Sequence, residues 1–282
     1  MAARNVIYLN TSFLLWCHLF TNKINQVNLI SGHCSFNHIV FIGMDVRTGE
    51  IVLLSEWTIT NSKHLASLEQ EFNYLTKLRH QNLIHYLNFK CENVCDGKIV
   101  VYILKEFING PNCLFFMNEN FSVNIQFVKY VAKGVLTALD YLHRNNVVHK
   151  DIRESCVYIT EKGKCNNLIP VASQYKSSIL GTVALSNYSL HRRLTDITSQ
   201  SNSFTNYSKK TDIYKFGAFL VALLQGSVVS NDEDINIPTT VPPELHDFIS
   251  RLAPLYPFTY SHSNILDVCT NKKKNDGRQS SY

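Results

Sequence analysis

No stretch of this chain reaches the ~18 consecutive apolar residues that a transmembrane helix needs. The apolar run at residues 13–20 is short and interrupted by His18, and no clear small-residue cleavage site follows it, so a secretory leader is not expected. These absences exclude a membrane partner. They make the cytoplasm the expected location.

Cysteine is present, but not in a pattern that binds metal. The eight cysteines lie at positions 17, 34, 91, 95, 113, 156, 165 and 269, with no C-x-x-C pair among them. Structural zinc sites use closely spaced ligand pairs, and small secreted domains use dense disulfide frameworks. The cysteines are therefore expected to be reduced intracellular thiols, and no metal ligands are assigned.

A concentrated charge of one sign is also lacking. The net charge of +5 comes from dispersed Lys and Arg, apart from the run Lys272-Lys273-Lys274, so nucleic acid is not expected as a direct partner. Apolar residues, in contrast, make up 45% of the 282 positions. That is enough to bury a sizeable core in one large domain or two lobes.

The patterns along the chain predict strands first and helices later. Strand-like runs occur at 27–30, 38–42, 50–54, 85–89 and 98–104, with a turn at 47–49. A helix with apolar residues at 68, 72, 75 and 78 lies among them, and a longer one is predicted over 125–143. Further helices are predicted at 211–224, 238–252 and 264–268, whereas residues 190–211 are rich in Ser, Thr and Asn and predict a solvated loop.

The segment after the long helix reads His149-Lys150-Asp151, and Cys156 follows five residues after Asp151. It resembles the H-R-D-x-x-x-x-N loop of protein kinases, where the Asp orients the substrate hydroxyl and the Asn holds magnesium. Asp151 fills the position of the base. Cys156 fills the position of the Asn, and a thiol is a poor ligand for a cation that prefers oxygen.

The ordered set of motifs resembles that of protein kinases over residues 27–268. The resemblance implies an α+β, two-lobed fold: an antiparallel-sheet N-lobe with its C-helix over about 27–105, and a mainly helical C-lobe over about 111–268. An insertion is expected at about 161–180. Residues 1–26 are then an N-terminal extension, and residues 269–282 a polar basic tail.

At the phosphate-binding positions the resemblance implies a degenerate pocket. Of the three loop glycines only Gly32 is kept, with Cys34 and Asn37 at the other two positions. The strand lysine that pairs with the phosphates is replaced by Ser55, or by Glu56 if the register shifts by one residue.

The resemblance assigns Glu71 as the C-helix glutamate. With its lysine missing, we expect it to be solvated or to make a substitute hydrogen bond. Lys105 takes the gatekeeper position, where it either pairs with an acid such as Glu71 or points out along the strand. Glu106, Phe107 and Ile108 form the hinge, whose backbone groups could contact an adenine.

The metal-binding D-F-G motif is replaced by Asn187-Tyr188-Ser189. An amide instead of a carboxylate removes the negative charge that anchors magnesium. Asp212 and Gly217 match the family's D-x-W/Y-S-x-G motif, and Asp212 is expected to cap the backbone of the His149 loop, a structural task that needs no ATP.

Four features are more narrowly similar to one kind of domain: residues 54–58, the run from 138–143 to His149-Lys150, Asn187-Tyr188-Ser189 with Arg192-Arg193-Leu194, and the Pro-rich entry to Phe248-Ile249. They resemble the pseudokinase domain that precedes the catalytic domain in the general-control, amino-acid-starvation kinases of translation initiation factor 2 alpha. In that family the domain is not itself catalytic and activates the neighbouring kinase. The resemblance therefore implies no cofactor and a catalytic kinase domain as partner in a homo- or heterodimer. It leaves open whether the chain is a fragment of a larger kinase or a partial gene product.

The alternative is a degenerate but active serine/threonine kinase that uses Asp151 as its base and binds ATP with magnesium. Ser55, Cys156 and Asn187 discriminate between the two hypotheses, since each removes a different phosphate or metal contact. Their chemistry favours the regulatory module.

Overall fold

The computed structural model describes residues 27–34, 38–45, 48–93, 97–118, 124–160, 181–199, 207–227 and 237–252. The expected N-terminal extension, the insertion at 161–180, the helix at 264–268 and the basic tail lie outside these residues. Two compact units divide the chain. The first takes in the described residues up to Arg79, then Ile84–Ile108 and residues 190–199; the second takes in His80–Leu83, Asn109–Ser189 and the described residues from 207 onward.

A five-stranded antiparallel sheet forms most of the first unit, in the order β1-β2-β3-β5-β4. It confirms the predicted run of strands, and all five extend beyond their predicted C-terminal ends. The tight β2–β3 turn closes through Gly49, whose φ of +72° favours glycine and whose N–H donates to the Asp45 carbonyl at 2.7 Å. The strands are β1 (Val27–Cys34), β2 (His38–Asp45), β3 (Ile51–Ile59), β4 (Tyr86–Asn93) and β5 (Ile99–Glu106).

The strand register decides which β3 side chain faces the helix of this unit. Ser55 pairs with Ile103 of β5, and Ile103 pairs with Phe89 of β4, so the three side chains share one face of the sheet. The Phe89 ring stacks on Phe72 of helix α1 (Leu65–Leu75) with centroids 5.0 Å apart. Ser55, and not Glu56, therefore lies on the helix-facing side.

Helix α1 follows the predicted apolar pattern. Leu68, Phe72, Leu75 and Leu78 are all buried, with exposed fractions of 4% or less. A short 3-10 turn precedes the helix and is capped by Asn61, whose side-chain oxygen accepts from Lys63 N at 2.9 Å.

The second unit is mainly helical and contains one short hairpin. The hairpin packs closely on the long helix α3 (Ile125–Arg144), because a Cβ added to Gly134 would lie 2.3 Å from Cβ of Val183. None of the described helices is both long and apolar enough to cross a membrane. The elements are α2 (Cys113–Asn118), α3 (Ile125–Arg144), β6 (Val157–Thr160), β7 (Thr182–Leu185), α5 (Lys209–Gln225) and α6 (Pro243–Leu252).

Two helices depart from the sequence-based prediction, and one of them is α2, where no element is predicted. Helix α4 (Leu190–Thr198) forms where a solvated loop is expected, and by its contacts it belongs to the first unit. Its Leu190 and Leu194 are fully buried and lie one turn apart, while Arg192 pairs with Asp196 at 2.9 Å along its surface. Apolar burial and an i,i+4 ion pair thus outweigh the weak helix propensity of its threonines.

Candidate functional site

The catalytic-loop segment is held by the buried carboxylate of Asp212 in the first turn of α5. One oxygen, Oδ2, accepts from His149 N at 2.7 Å and lies 2.7 Å from Nε2 of His143. The other, Oδ1, accepts from Lys150 N at 2.8 Å. Asp212 therefore joins α5, the end of α3 and the loop at a site fully shielded from solvent.

The imidazole of His149 links this loop to the Asn187 segment. Burial lowers the pKa of His149, so the ring is neutral at pH 7. Its Nε2–H donates to the Ser186 carbonyl at 3.0 Å, while Nδ1 accepts from Asp151 N at 3.2 Å. The His149 carbonyl in turn accepts from Ser189 N at 2.9 Å, so the two segments are bonded together on both sides.

Three residues in these segments adopt left-handed backbone conformations. Lys150 has φ +76°, Asn187 has φ +64° and Ser189 has φ +58°. Asn tolerates this region, whereas for other side chains it costs about 1–2 kcal/mol. The hydrogen bonds around His149 and Asp212 stabilise the strained arrangement.

Asp151, at the position of the base, is enclosed by cations of its own unit. Its carboxylate forms an ion pair with Arg153, and Lys215 Nζ lies 3.9 Å from its other oxygen. The residue is only 4% exposed. A general base must lie within hydrogen-bond reach of the proton it removes. Here the carboxylate is instead paired with side chains of the chain itself.

Cys156 and Asn187 occupy the two positions that hold magnesium in kinases. Cys156 is buried, and burial followed by the charge of Asp151 raises the pKa of its thiol to about 11, so it stays protonated at pH 7. Asn187 contributes an uncharged amide, whose Oδ1 accepts from the Ser186 hydroxyl at 3.3 Å. Across the described part of the chain, no three His, Cys, Asp or Glu side chains come together as a metal site.

In the first unit, the phosphate-binding positions are also changed. Gly32 lies within β1 opposite Phe41, and Asn37 falls outside the described residues. Ser55 is 2% exposed, and its hydroxyl finds no hydrogen-bond partner among the described residues. Lys105 is 7% exposed on the same helix-facing side of the sheet, so its side chain does not extend into solvent.

The hinge segment is anchored to the strand entry of the same unit. Glu106 N donates to the His85 carbonyl at 2.9 Å, and the Glu106 carboxylate accepts from His85 N at 3.2 Å and lies 3.1 Å from His85 Nδ1. Phe107 and Ile108 follow as half-buried residues at the end of the unit.

The substitute partner of the C-helix glutamate comes from α4. Arg193 forms an ion pair with Glu71, and its Nη2 donates to Ser67 Oγ at 2.5 Å. Arg193 Nη1 also reaches the Ser67 carbonyl at 3.3 Å. Glu71 is thus paired by an arginine that follows the Asn187 segment.

Comparison with known proteins decides the family. The family model of the protein kinase domain matches residues 37–261. The chain belongs to the protein kinase family. The kinase domain of PknI from Mycobacterium tuberculosis has a TM-score of 0.62 at 14% identity, covering 86% of this chain and 94% of that one.

Two relatives are eIF-2-alpha kinases named GCN2. The chain is 27% identical to the human protein over 263 residues and 29% identical to the rat protein over 264 residues, which covers 80% of this chain in each case. A third relative, the MAP kinase kinase kinase mkh1 of Schizosaccharomyces pombe, is 23% identical over 234 residues. The chain spans only 15% of the length of each GCN2 protein.

Membership of the kinase family implies ATP with magnesium, but the donors in this chain do not fit that pair. A buried hydroxyl replaces the strand lysine at Ser55, a protonated thiol replaces the amide oxygen at Cys156, and a neutral amide replaces the charged carboxylate at Asn187. Magnesium prefers charged oxygen ligands near phosphate. The structural residue Asp212 is in place, and Gly217 is buried within α5.

Arg193 is the site residue that motif matching does not assign. The pair Arg192-Arg193, which lies soon after the Asn187 segment, is the sequence feature that could have pointed to it. Cations are otherwise rare in the surrounding Ser- and Thr-rich stretch. Its partner Glu71 lies 122 positions earlier in the chain.

We expect Asp212→Ala to lower the free energy of unfolding by about 3 kcal/mol or more, because buried donors on His143, His149 and Lys150 lose their acceptor. Urea denaturation measures this loss. Asp140→Ala is the matched control: its carboxylate pairs with Arg144 on the surface of α3 at 3.0 Å. Its loss should stay within about 0.5 kcal/mol. Equal, small losses in both variants would show that Asp212 does not hold the loop.

Proposed function

We propose that this chain is a cytoplasmic pseudokinase module that regulates a catalytic kinase of translation initiation factor 2 alpha in amino-acid starvation signalling. The main support is that the residues at the phosphate- and metal-binding positions are replaced while the structural aspartate is retained. The positions that contact phosphate and metal hold Ser55, Cys156 and Asn187, while Asp212 keeps its hydrogen bonds to the catalytic-loop backbone.

The energetics support a non-catalytic role. Electrostatic stabilisation of the transition state usually contributes more to catalysis than any other effect, and a single well-placed donor is worth about 3–4 kcal/mol. In phosphoryl transfer the strand lysine and the metal ions neutralise the developing charge. Ser55, Cys156 and Asn187 supply no charge for that task, and Asp151 alone cannot compensate because it only orients a nucleophile.

The similarity to GCN2 supports the choice of partner. The chain resembles a limited part of each GCN2 protein, and a regulatory domain acts on a catalytic domain supplied in the same or another chain. Such regulation requires that the module bind the active form of its partner more tightly than the inactive form. A homodimer or a heterodimer with the catalytic domain would satisfy this requirement.

The second candidate is a degenerate serine/threonine kinase. One observation favours it: Asp151 retains the position of the base within an intact loop. This candidate requires ATP binding with magnesium.

We expect magnesium-ATP to leave the melting temperature unchanged, because phosphate and metal contacts are missing. A ligand at 100 times its dissociation constant would add about 2.7 kcal/mol of stability. Differential scanning fluorimetry with and without magnesium checks this, with an active kinase domain as positive control. The double variant Cys156→Asn, Asn187→Asp restores an amide oxygen at the first position and a charged carboxylate at the second. It should move the melting temperature towards a magnesium-dependent increase. A shift in the unmodified chain that disappears with a chelator would favour the second candidate.

We expect the module to raise phosphorylation of initiation factor 2 alpha by the GCN2 catalytic domain when the two are mixed. A coupling of about 1–3 kcal/mol, typical of allostery, corresponds to about a 5- to 150-fold change. Asp151→Ala should stimulate as well as the unmodified chain, whereas the loop-disrupting Asp212→Ala should not. Absence of both association and stimulation at micromolar concentrations would refute the proposal, since a weaker contact could act only through a covalent tether.

A further inference from the structure

Helix α4 is attached to the sheet of the first unit by an aromatic cluster. The His191 ring meets Trp57 of β3 edge-on, with centroids 5.0 Å apart and planes at 85°. His38 of β2 stacks on the same Trp57 at 4.2 Å and meets His191 edge-on at 5.0 Å. Edge-on and stacked contacts of this kind are the favoured geometries for aromatic rings.

A different side of α4 is attached to helix α1. Ser67 and Glu71 lie four residues apart, one turn along α1, and the planar guanidinium of Arg193 bridges both. Residues two apart on a helix point to different sides, so His191 and Arg193 can hold the sheet and α1 at the same time. Arg193 is 28% exposed and Glu71 is 18% exposed, so this ion pair is partly shielded from water.

Strand β3 offers α1 no cation of its own. Its sequence contains neither lysine nor arginine, and Ser55 on the helix-facing side is too short to reach across as a lysine would. In active kinases the strand lysine joins the C-helix glutamate to the nucleotide phosphates. In this chain, α4 supplies a cation, Arg193, to the glutamate.

We propose that Arg193 takes over the part of the missing strand lysine, so that α4 clamps α1 to the sheet without nucleotide. The clamp consists of His191 and Arg193 with Trp57, Ser67 and Glu71. It makes the position of α1 depend on α4 and not on ATP. All its residues lie in the first unit, so the inference is independent of the partner proposed above.

Hydrogen exchange measured by mass spectrometry on the full chain tests the clamp. Arg193→Ala should speed exchange of the α1 amides by about tenfold, the effect of about 1.4 kcal/mol. Arg193→Lys keeps the charge but loses the bridge between Ser67 and Glu71, and should give a smaller increase. It also provides the test if Arg193→Ala does not fold. Added ATP should leave α1 exchange in the unmodified chain unchanged.

Arg192→Ala is the matched control, because Arg192 pairs within α4 with Asp196. It should speed α1 exchange by less than about twofold, because it removes only a partly exposed i,i+4 ion pair within α4. Exchanging the charges in the double variant Glu71→Arg, Arg193→Glu should restore part of the protection lost in Arg193→Ala. The clamp is refuted if neither Arg193 variant speeds α1 exchange, if Arg192→Ala speeds it equally, or if ATP protects α1.

Discussion

The hydrogen bonds accepted by one fully buried carboxylate hold the catalytic-loop segment in place. Removing a charge from water is costly, and Asp212 offsets that cost through close contacts with His143, His149 and Lys150. These contacts also hold a left-handed residue in the loop and, through His149, the strained Asn187 segment. Because none of this requires ATP, the kinase architecture of this unit can persist without kinase chemistry.

The replaced positions also affect how helix α1 is held. A phosphate-binding lysine and two metal ligands normally couple the parts of a kinase through the nucleotide. Here the thiol of Cys156 is buried and protonated, and Ser55 carries no charge. Glu71 is paired instead by Arg193 of α4. An ion pair between two side chains of the same chain thus holds the C-helix glutamate, which in an active kinase is joined to the nucleotide through the strand lysine.

The sequence predicts most of the fold and much of the site, because strand and helix periodicity and motif spacing are local signals. Helix α4 is mispredicted: its nine residues lie in a Ser- and Thr-rich stretch, and the burial that stabilises it comes from tertiary packing. The choice between Ser55 and Glu56 depends on strand register, which one strand alone does not reveal. The pairing of Arg193 with Glu71 spans 122 positions, beyond the reach of any local pattern.

Transfer of the ATP γ-phosphate in a single turnover decides whether this chain is a regulatory module or a kinase. The purified chain, in excess over labelled ATP and with magnesium present, is compared with Asp151→Asn. Circular dichroism checks that both fold equally. The readouts are labelling of the chain and of a serine/threonine peptide. A regulatory module without phosphotransfer gives no labelling above that of Asp151→Asn. Phosphate incorporation that Asp151→Asn abolishes, with the fold unchanged, would contradict it and establish an enzyme.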